Sequence, residues 1–141
     1  MHKDDHWAFT IKRIHETVRK HTNSRLSRYN LTVSQIRVLM NLYDTPTKQM
    51  SMKELEKAID VAQSTTVGTV ARLEQKGFVE RFGSAEDKRV KYVRITSKGI
   101  EYCAESEQCM YESENMLLEK LTEEERSVFC QLLEKINRAI E

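Results

Sequence analysis

Several side chains near the middle of the chain have the types and spacing needed to contact the edges of base pairs. Ser64 and Thr65 carry hydroxyls that donate or accept hydrogen bonds, and Arg72 could reach a guanine or, equally, a phosphate. Val67 could touch a thymine methyl, and Gly68 lies on the same side of the segment. This combination indicates contact with double-stranded DNA, although a helix of this kind can also serve as a packing or interaction module.

A second charged group follows at Asp87, Lys88, Arg89 and Lys91, between two segments rich in β-branched and aromatic residues. Such segments predict a short hairpin with the charges around its tip. A carboxylate two residues from an arginine can hold the guanidinium in one rotamer, so Asp87 would present Arg89 to a narrow minor groove. Lys88 and Lys91 would then contact phosphates. The alternative is a mixed-charge turn that only solubilises the surface, and the charges alone do not decide between the two.

The elements that would position these residues are marked by capping signatures and apolar periodicity. Sequences of the form Ser/Thr-x-x-Glu/Gln at 32–35, 51–54 and 122–125 are capping boxes, which predict helix starts. Gly77 can end a helix in the left-handed conformation, and Thr96 can cap the helix that follows the hairpin. Helices are predicted over about residues 6–29, from 32 to a turn at 44–47, over 51–59, from about 62 to 77, over about 97–120 and from 122 onward. Strands are predicted at residues 79–82 and 91–95.

The same periodicity predicts which helix faces are buried. In the second helix the predicted buried stripe is Ile36, Leu39, Met40 and Tyr43. In the helix before Gly77 the packed face is predicted to be Thr66, Thr69, Val70 and Leu73, which leaves the candidate DNA-contacting residues on the free face. The first and last helices have more apolar surface than a small domain could cover, so they are predicted to pack together or against a second subunit.

Composition and charge distribution bound the function. The 141 residues are 39% hydrophobic and 32% charged, which suits one compact helical domain or one domain with helical extensions. The net charge of +1 is uneven, because residues 1–61 and 62–98 each carry +4 while residues 99–141 carry −7. Only the positively charged part of the chain, residues 1–98, is therefore expected to contact phosphates. No apolar run reaches membrane-spanning length and the start does not resemble a secretory signal, so we expect no membrane association and a cytoplasmic location.

No pattern in the sequence predicts a cofactor, a metal centre or a catalytic site. Cys103, Cys109 and Cys130 are odd in number and lack CxxC spacing, so no disulfide framework or zinc ribbon is indicated, and they are expected to be buried free thiols. His2 and His6 could hold a metal on a helix, but surface histidines are the commoner case. There is no glycine-rich phosphate loop and no nucleophile paired with a base, so an enzyme is the least favoured class.

Two linked motifs stand out in the chain, Leu73-Glu74-x-x-Gly77-Phe78-Val79-Glu80-Arg81 and Asp87-x-Arg89-x-x-x-Val93-x-Ile95-Thr96-x-x-Gly99. They resemble the helix-to-wing signature of a known family, the multiple-antibiotic-resistance regulator (MarR) family of bacterial transcription factors. The resemblance covers nearly the whole chain, and it departs from the family at Gly68, where many relatives carry a larger polar or basic residue.

The resemblance implies a mainly α fold with a small β wing, a winged helix-turn-helix. Residues 1–30 would be the first helix of a dimerisation region, residues 31–98 the DNA-binding region, and residues 99–141 the C-terminal dimerisation helices. A homodimer would bind a pseudo-palindromic operator in double-stranded DNA, with Arg89 in the minor groove and Asp87 orienting it. The protein would then regulate transcription, most plausibly as a repressor.

Members of that family often bind a small phenolic or aromatic effector that changes the separation of the two DNA-reading heads. Trp7, His15, Tyr43 and Tyr102 could line such a pocket, but aromatic residues at helical spacing are more often ordinary core residues. The sequence therefore assigns no effector site. The alternative function is a winged-helix module that docks a protein partner through its acidic C-terminal helices and has little or no DNA binding.

Overall fold

The computed structural model describes residues 6–59 and 63–141, with the side chains of residues 63 and 64 excepted. Its elements are α1 (Trp7–Leu26), a short 3₁₀ helix (Ser27–Tyr29), α2 (Val33–Asp44), β1 (Gln49–Ser51), α3 (Met52–Ile59), α4 (Gln63–Gln75), β2 (Val79–Gly83), β3 (Lys91–Ile95), α5 (Ser97–Leu118) and α6 (Glu123–Arg138). The predicted fold class is confirmed, because the described residues form a mainly helical chain with one small antiparallel sheet.

The described residues fall into two compact units, which are taken one at a time. One unit comprises residues up to 24 together with 108–141, and the other comprises residues 25–107. The second unit holds α2, α3, α4 and the sheet, so it contains every candidate site residue.

Local sequence signals set the ends of the helices as predicted. In α2 the amide of Gln35 donates to Thr32 Oγ1 (3.2 Å), and the amide of Thr32 donates to Gln35 Oε1 (3.0 Å). The boxes at 51–54 and 122–125 close in the same reciprocal way. Each box satisfies amides that the first turn of a helix cannot pair internally, so the chain enters these helices at defined residues.

The predicted buried face of α2 is wrong in its direction. Val38, Leu39 and Leu42 are completely buried, whereas the predicted stripe members Ile36, Met40 and Tyr43 are only partly buried. The reason is that α2 packs against α3, α4 and β3 together, and this arrangement centres its buried face one position away from the stripe read in the sequence.

The sheet contains a strand that the sequence did not predict. β1 pairs with β3 in antiparallel register, and β3 also pairs with β2, which gives the order β1-β3-β2. The hairpin of β2 and β3 confirms the predicted wing, and its inner face contributes Val79, Val93 and Ile95 to the core. The residue types of β2 and β3 predicted those two strands. A strand of three residues such as β1 is too short to show an alternating pattern.

The turn between α4 and β2 depends on two glycines. Gly77 has φ +84°, and the amide of Phe78 donates to the carbonyl of Leu73 (3.0 Å), so α4 ends in the predicted left-handed cap. Phe78 folds back and is 1% exposed. Gly99, at the start of α5, lies so close to this turn that a Cβ there would sit 2.5 Å from both Ile95 Cγ1 and the Phe78 carbonyl oxygen.

The first unit has a large apolar surface that the chain itself does not cover. No residue of α6 is buried, although α6 is strongly amphipathic. Its exposed apolar residues are Val128, Phe129, Leu132, Leu133 and Ile136, and Ile140 follows the helix. Among the described residues, no helix is long and apolar enough to cross a membrane.

Candidate nucleic-acid interface

The helix α4 has one packed face and one free face. Thr66, Thr69, Val70 and Leu73 are all buried, as predicted, and Thr69 Oγ1 donates to the Thr65 carbonyl (2.8 Å). On the other face Thr65, Val67 and Arg72 are exposed and Gly68 is partly exposed. Ser64 belongs to α4 through its backbone, but its predicted side-chain contact lies outside the described residues.

The geometry around Gly68 limits the reasons for a glycine there. A Cβ built on Gly68 would have one neighbour within 4 Å outside the local helix backbone, Arg72 Nη1 at 3.4 Å. No neighbouring element in the described part of the chain therefore requires glycine at this position. The Arg72 side chain makes no hydrogen bond or ion pair with the described residues, so its guanidinium donors are available to a ligand.

The wing tip holds its arginine as the sequence predicted. Arg89 Nε donates to Asp87 Oδ1 (3.1 Å) and Arg89 Nη2 donates to Asp87 Oδ2 (3.1 Å), while the Arg89 amide also donates to Oδ1 (3.0 Å). The Arg89 side chain is nonetheless 91% exposed. The Arg89 guanidinium, and next its backbone amide, lower the pKa of Asp87, so the carboxylate stays ionised and the fork–fork pair persists near neutral pH. The ion pair is confirmed, and its role at a minor groove stays a prediction.

The loop that carries this pair is closed by its own hydrogen bonds. Ser84 Oγ accepts from the amides of Glu86 (3.2 Å) and Asp87 (3.4 Å), and the Ser84 amide donates to the Val90 carbonyl (2.9 Å). These contacts fix the loop backbone, so the position of Arg89 relative to β2 and β3 is set before any ligand binds. Lys88 and Lys91 flank Arg89 and are exposed, with no carboxylate partner in the described portion of the chain.

Other basic residues of this region are engaged with the protein and are poor candidates for phosphate contacts. Arg81 Nη2 and Nε donate to Glu74 Oε1 (2.8 and 3.0 Å), and the Arg81 amide donates to Glu74 Oε2 (2.8 Å). Arg94 Nε donates to Glu80 Oε1 (3.0 Å). Lys76 and Lys98 donate to backbone carbonyls, those of residues 30 and 76 respectively.

The Glu74–Arg81 pair joins the end of α4 to β2, and sequence reasoning missed it. The Arg81 side chain, followed by its backbone amide, lowers the pKa of Glu74. Because three hydrogen bonds meet on one carboxylate, the pair fixes the angle between the helix and the wing. Both residues stand in the motif that carries the family resemblance, and their positions on either side of the Gly77 turn were the available signal.

The remaining predicted chemistry is ordinary protein interior or surface. Cys103 and Cys109 are buried, and burial raises the pKa of Cys103 to about 12, so its thiol is protonated and unreactive. The prediction that Cys130 is buried is wrong, because α6 buries none of its residues. No group of His, Cys, Asp or Glu in the described residues could hold a metal ion, and His2 lies outside them.

The aromatic residues considered for an effector pocket are divided between the two units and are described one at a time. Trp7 is 71% exposed. Tyr102 is 3% exposed and packs edge-to-face against Tyr29, with ring centroids 5.0 Å apart, so it is a core residue. Tyr43 is partly buried, and its hydroxyl donates to Glu107 Oε2 (3.2 Å). His15 is exposed.

Comparisons with known proteins agree with this architecture. The family model described as "MarR family" matches residues 31–91, which include α2, α3, α4, β2 and the wing tip but end at the first residue of β3. MepR, a transcription regulator of the Staphylococcus aureus multidrug efflux pump MepA, is 21% identical in sequence, with a TM-score of 0.80 over 96% of this chain and 99% of that chain. YusO from Bacillus subtilis is 20% identical, with a TM-score of 0.80 over 99% of each chain.

A solved structure of MarR is 25% identical to this chain, with a TM-score of 0.70 over 95% of this chain and 96% of that one. The matched region contains the free face of α4 and nearly all of the wing, and the structural likeness extends over the helices on both sides of it. Residues 31–91 therefore match the MarR family model, and the chain as a whole shares the fold of these solved structures.

Proposed function

We propose that the protein is a sequence-specific transcriptional regulator that binds double-stranded DNA, with α4 in the major groove and the wing tip in the adjacent minor groove. The observation that carries the proposal is the pairing of Asp87 with Arg89, which holds an exposed guanidinium in one position at the end of a rigid hairpin. A narrow minor groove has an enhanced negative potential that attracts such a group. The free face of α4 supplies the small polar side chains that read base edges in a major groove.

The electrostatics support the same face. Arg72 on α4 and Lys88 and Lys91 on the wing have no ion pair with a described carboxylate that would compete with DNA. Lysines at such positions neutralise phosphates and fix the register of a protein on a duplex, while base contacts provide the specificity. A structure of a MepR mutant was solved with a bound oligodeoxyribonucleotide, which supports DNA binding by this fold.

We propose that the functional protein is a homodimer and that its operator is pseudo-palindromic. The apolar face of α6 supports a dimer, because it would leave a continuous hydrophobic surface in water if the chain stayed single. A two-fold dimer places two identical reading heads on one side of a duplex, about one helical turn apart, so the sequence that it reads is inverted between half-sites. In this account residues 1–30 and 99–141 are the dimerisation region.

We propose repression as the mode of regulation, with relief by a small aromatic or phenolic effector. MepR has been solved with ethidium bromide bound, which supports ligand binding by this fold. An effector that binds more tightly to one spacing of the two reading heads would shift the dimer toward that spacing. The change in DNA affinity that results is set by the difference between the effector's affinities for the two spacings. The account includes no cofactor and no catalytic step, and it places the protein with its DNA in the cytoplasm.

Selection from a random pool of duplex DNA tests this function. The wild-type protein should enrich an inverted repeat, and Arg89→Ala should lose about 1 to 3 kcal/mol of affinity for the selected duplex. Arg138→Ala is the matched control, because Arg138 is also an exposed arginine paired with a carboxylate near in sequence but stands at the end of α6. Absence of any enriched duplex at low salt would favour the protein-docking alternative.

A further inference from the structure

Gly68 occupies a position where the described residues give no reason for a glycine. It is in the interior of α4, where glycine is disfavoured relative to every residue except proline. Its φ is in the ordinary range, so the left-handed conformation does not demand it. No side chain or backbone of another described element approaches within 4 Å of where its Cβ would be. The requirement must come from its own helix face or from a ligand on that face.

The one atom close to this site belongs to Arg72. Its Nη1 lies 3.4 Å from the position of a Gly68 Cβ, so the arginine extends back by one helical turn and rests beside the glycine. Long helical side chains do point toward the helix N-terminus, and residues four apart are neighbours on one face. The guanidinium is thereby brought close to the helix backbone in the middle of the free face, instead of extending from its end.

Arg72 also differs from the three arginines of the wing. Arg81, Arg89 and Arg94 each donate to a carboxylate of the protein. Arg72 has no such partner among the described residues, and it is exposed. The planar guanidinium donors make no hydrogen bond with the described residues, as expected of a group that binds another molecule.

We propose, on the basis of the DNA-binding function above, that Gly68 is a seat for the Arg72 guanidinium and that the seated guanidinium reads a guanine in the major groove. Phosphates line the two edges of the groove, whereas the middle of a helix lying in the groove faces the base edges. Guanine presents two adjacent acceptors there, O6 and N7, which match two donors of one guanidinium. Gly68 is therefore a specificity-determining residue that acts through Arg72.

A double-mutant cycle on the selected operator tests the seat. Gly68→Ala should change affinity by no more than about 3-fold, because 3.4 Å is an ordinary contact distance for the new methyl. Gly68→Val should displace the guanidinium and weaken binding about 10-fold or more, and Arg72→Ala should cost about 10- to 100-fold. In the Arg72→Ala background, Gly68→Val should add less than about 2-fold, because the group that it displaces is gone.

An equal loss from Gly68→Val in both backgrounds would mean that valine collides with DNA directly, and it would overturn the seat. Urea unfolding accompanies each variant, and we expect all of them to be at least as stable as wild type because alanine and valine both favour helix over glycine. A wild type that selects no duplex would overturn the proposed function and this inference together. A wild type that selects a duplex but shows no coupling would overturn the inference alone.

Modified operators test the base that is read. We expect one guanine in each half-site at which 7-deazaguanine, which lacks the N7 acceptor, weakens wild-type binding about 10-fold and leaves Arg72→Ala unaffected. Arg72→Lys should not restore affinity, because one ammonium cannot form the paired contact. Full recovery with lysine, or equal sensitivity of wild type and Arg72→Ala to every deazaguanine, would assign Arg72 to a phosphate and contradict the proposal.

Discussion

The salt dependence of DNA binding can be worked out from which cations the protein leaves unpaired. Lys88 and Lys91 are exposed and have no described carboxylate partner, whereas Arg81 and Arg94 are held by glutamates. A dimer would therefore bring about four lysines to phosphates, and these alone give a slope of log affinity against log salt of about −4. If Arg72 and Arg89 also displace counterions, the slope would approach about −7.

The informative change is Lys91→Ala, which removes one proposed phosphate contact from each protomer. The slope should become shallower by about 2, because each lost contact contributes about 0.9 and the dimer loses it twice. Fluorescence anisotropy titrations of a labelled operator at several salt concentrations measure this directly. The loss of affinity should also be similar for operator and unrelated DNA, since a phosphate carries no sequence information.

Lys135→Ala is the matched control, because Lys135 is an exposed lysine on α6, outside the proposed DNA-binding face. Its slope should equal that of the wild type. A Lys91→Ala protein with an unchanged slope, or an equal change in the Lys135→Ala protein, would refute the reasoning that the wing lysines meet the phosphates.

Three further predictions concern the scaffold. Glu74→Gln should lower stability by about 1 kcal/mol at neutral pH by weakening the Arg81 pair. Since the pKa of Glu74 is lowered on folding, its contribution holds above its ordinary pKa and is lost as the pH falls through the lowered value. The difference in urea unfolding should therefore shrink as the pH falls below the ordinary pKa of a glutamate, and a constant difference would contradict the pair. Gly99→Ala should lower the free energy of unfolding by about 2 kcal/mol in the same assay. Gly83→Ala is the control, because its Cβ would have no neighbour nearer than 3.7 Å, and its effect should stay within about 0.5 kcal/mol. Equal losses from the two changes would contradict the packing described for Gly99. Leu132→Asp should give folded monomers in sedimentation analysis, whereas an intact dimer would exclude this face of α6 from the interface.

The features that the sequence predicts well are those encoded within a few residues. The capping boxes and the Gly77 stop depend on contacts across three to five positions, and the hairpin joins two segments separated only by a short polar loop; each is present where expected. The Asp87–Arg89 pair has the same local character, since its partners are two residues apart. Local geometry leaves little freedom in such cases, so residue types and spacing suffice.

The features that the sequence did not predict depend on partners brought together by the fold. The buried face of α2 follows from packing against three other elements, and β1 exists because β3 offers it an open edge. The Glu74–Arg81 pair needs the turn at Gly77 to bring the helix end beside β2. Glu74 and Arg81 could equally have been solvated separately, so no local sequence pattern predicted that they form a pair.

The role of Gly68 shows how coordinates narrow an ambiguity that sequence leaves open. Close approach of another helix and close approach of DNA were equally compatible with a glycine in this position. The described structure removes the first, because it places Arg72 and no neighbouring element beside the glycine. What remains is a property of the proposed DNA-binding face, which binding measurements can resolve.

Hydroxyl-radical footprinting of the selected operator, with wild type and Arg89→Ala in parallel, tests the central claim most directly. The account predicts protection with two-fold symmetry across half-sites about one helical turn apart, and a minor-groove protection at each wing position that disappears in Arg89→Ala while the protection of the sugars that flank the α4 contacts remains. An asymmetric footprint, or minor-groove protection that Arg89→Ala leaves intact, would contradict it.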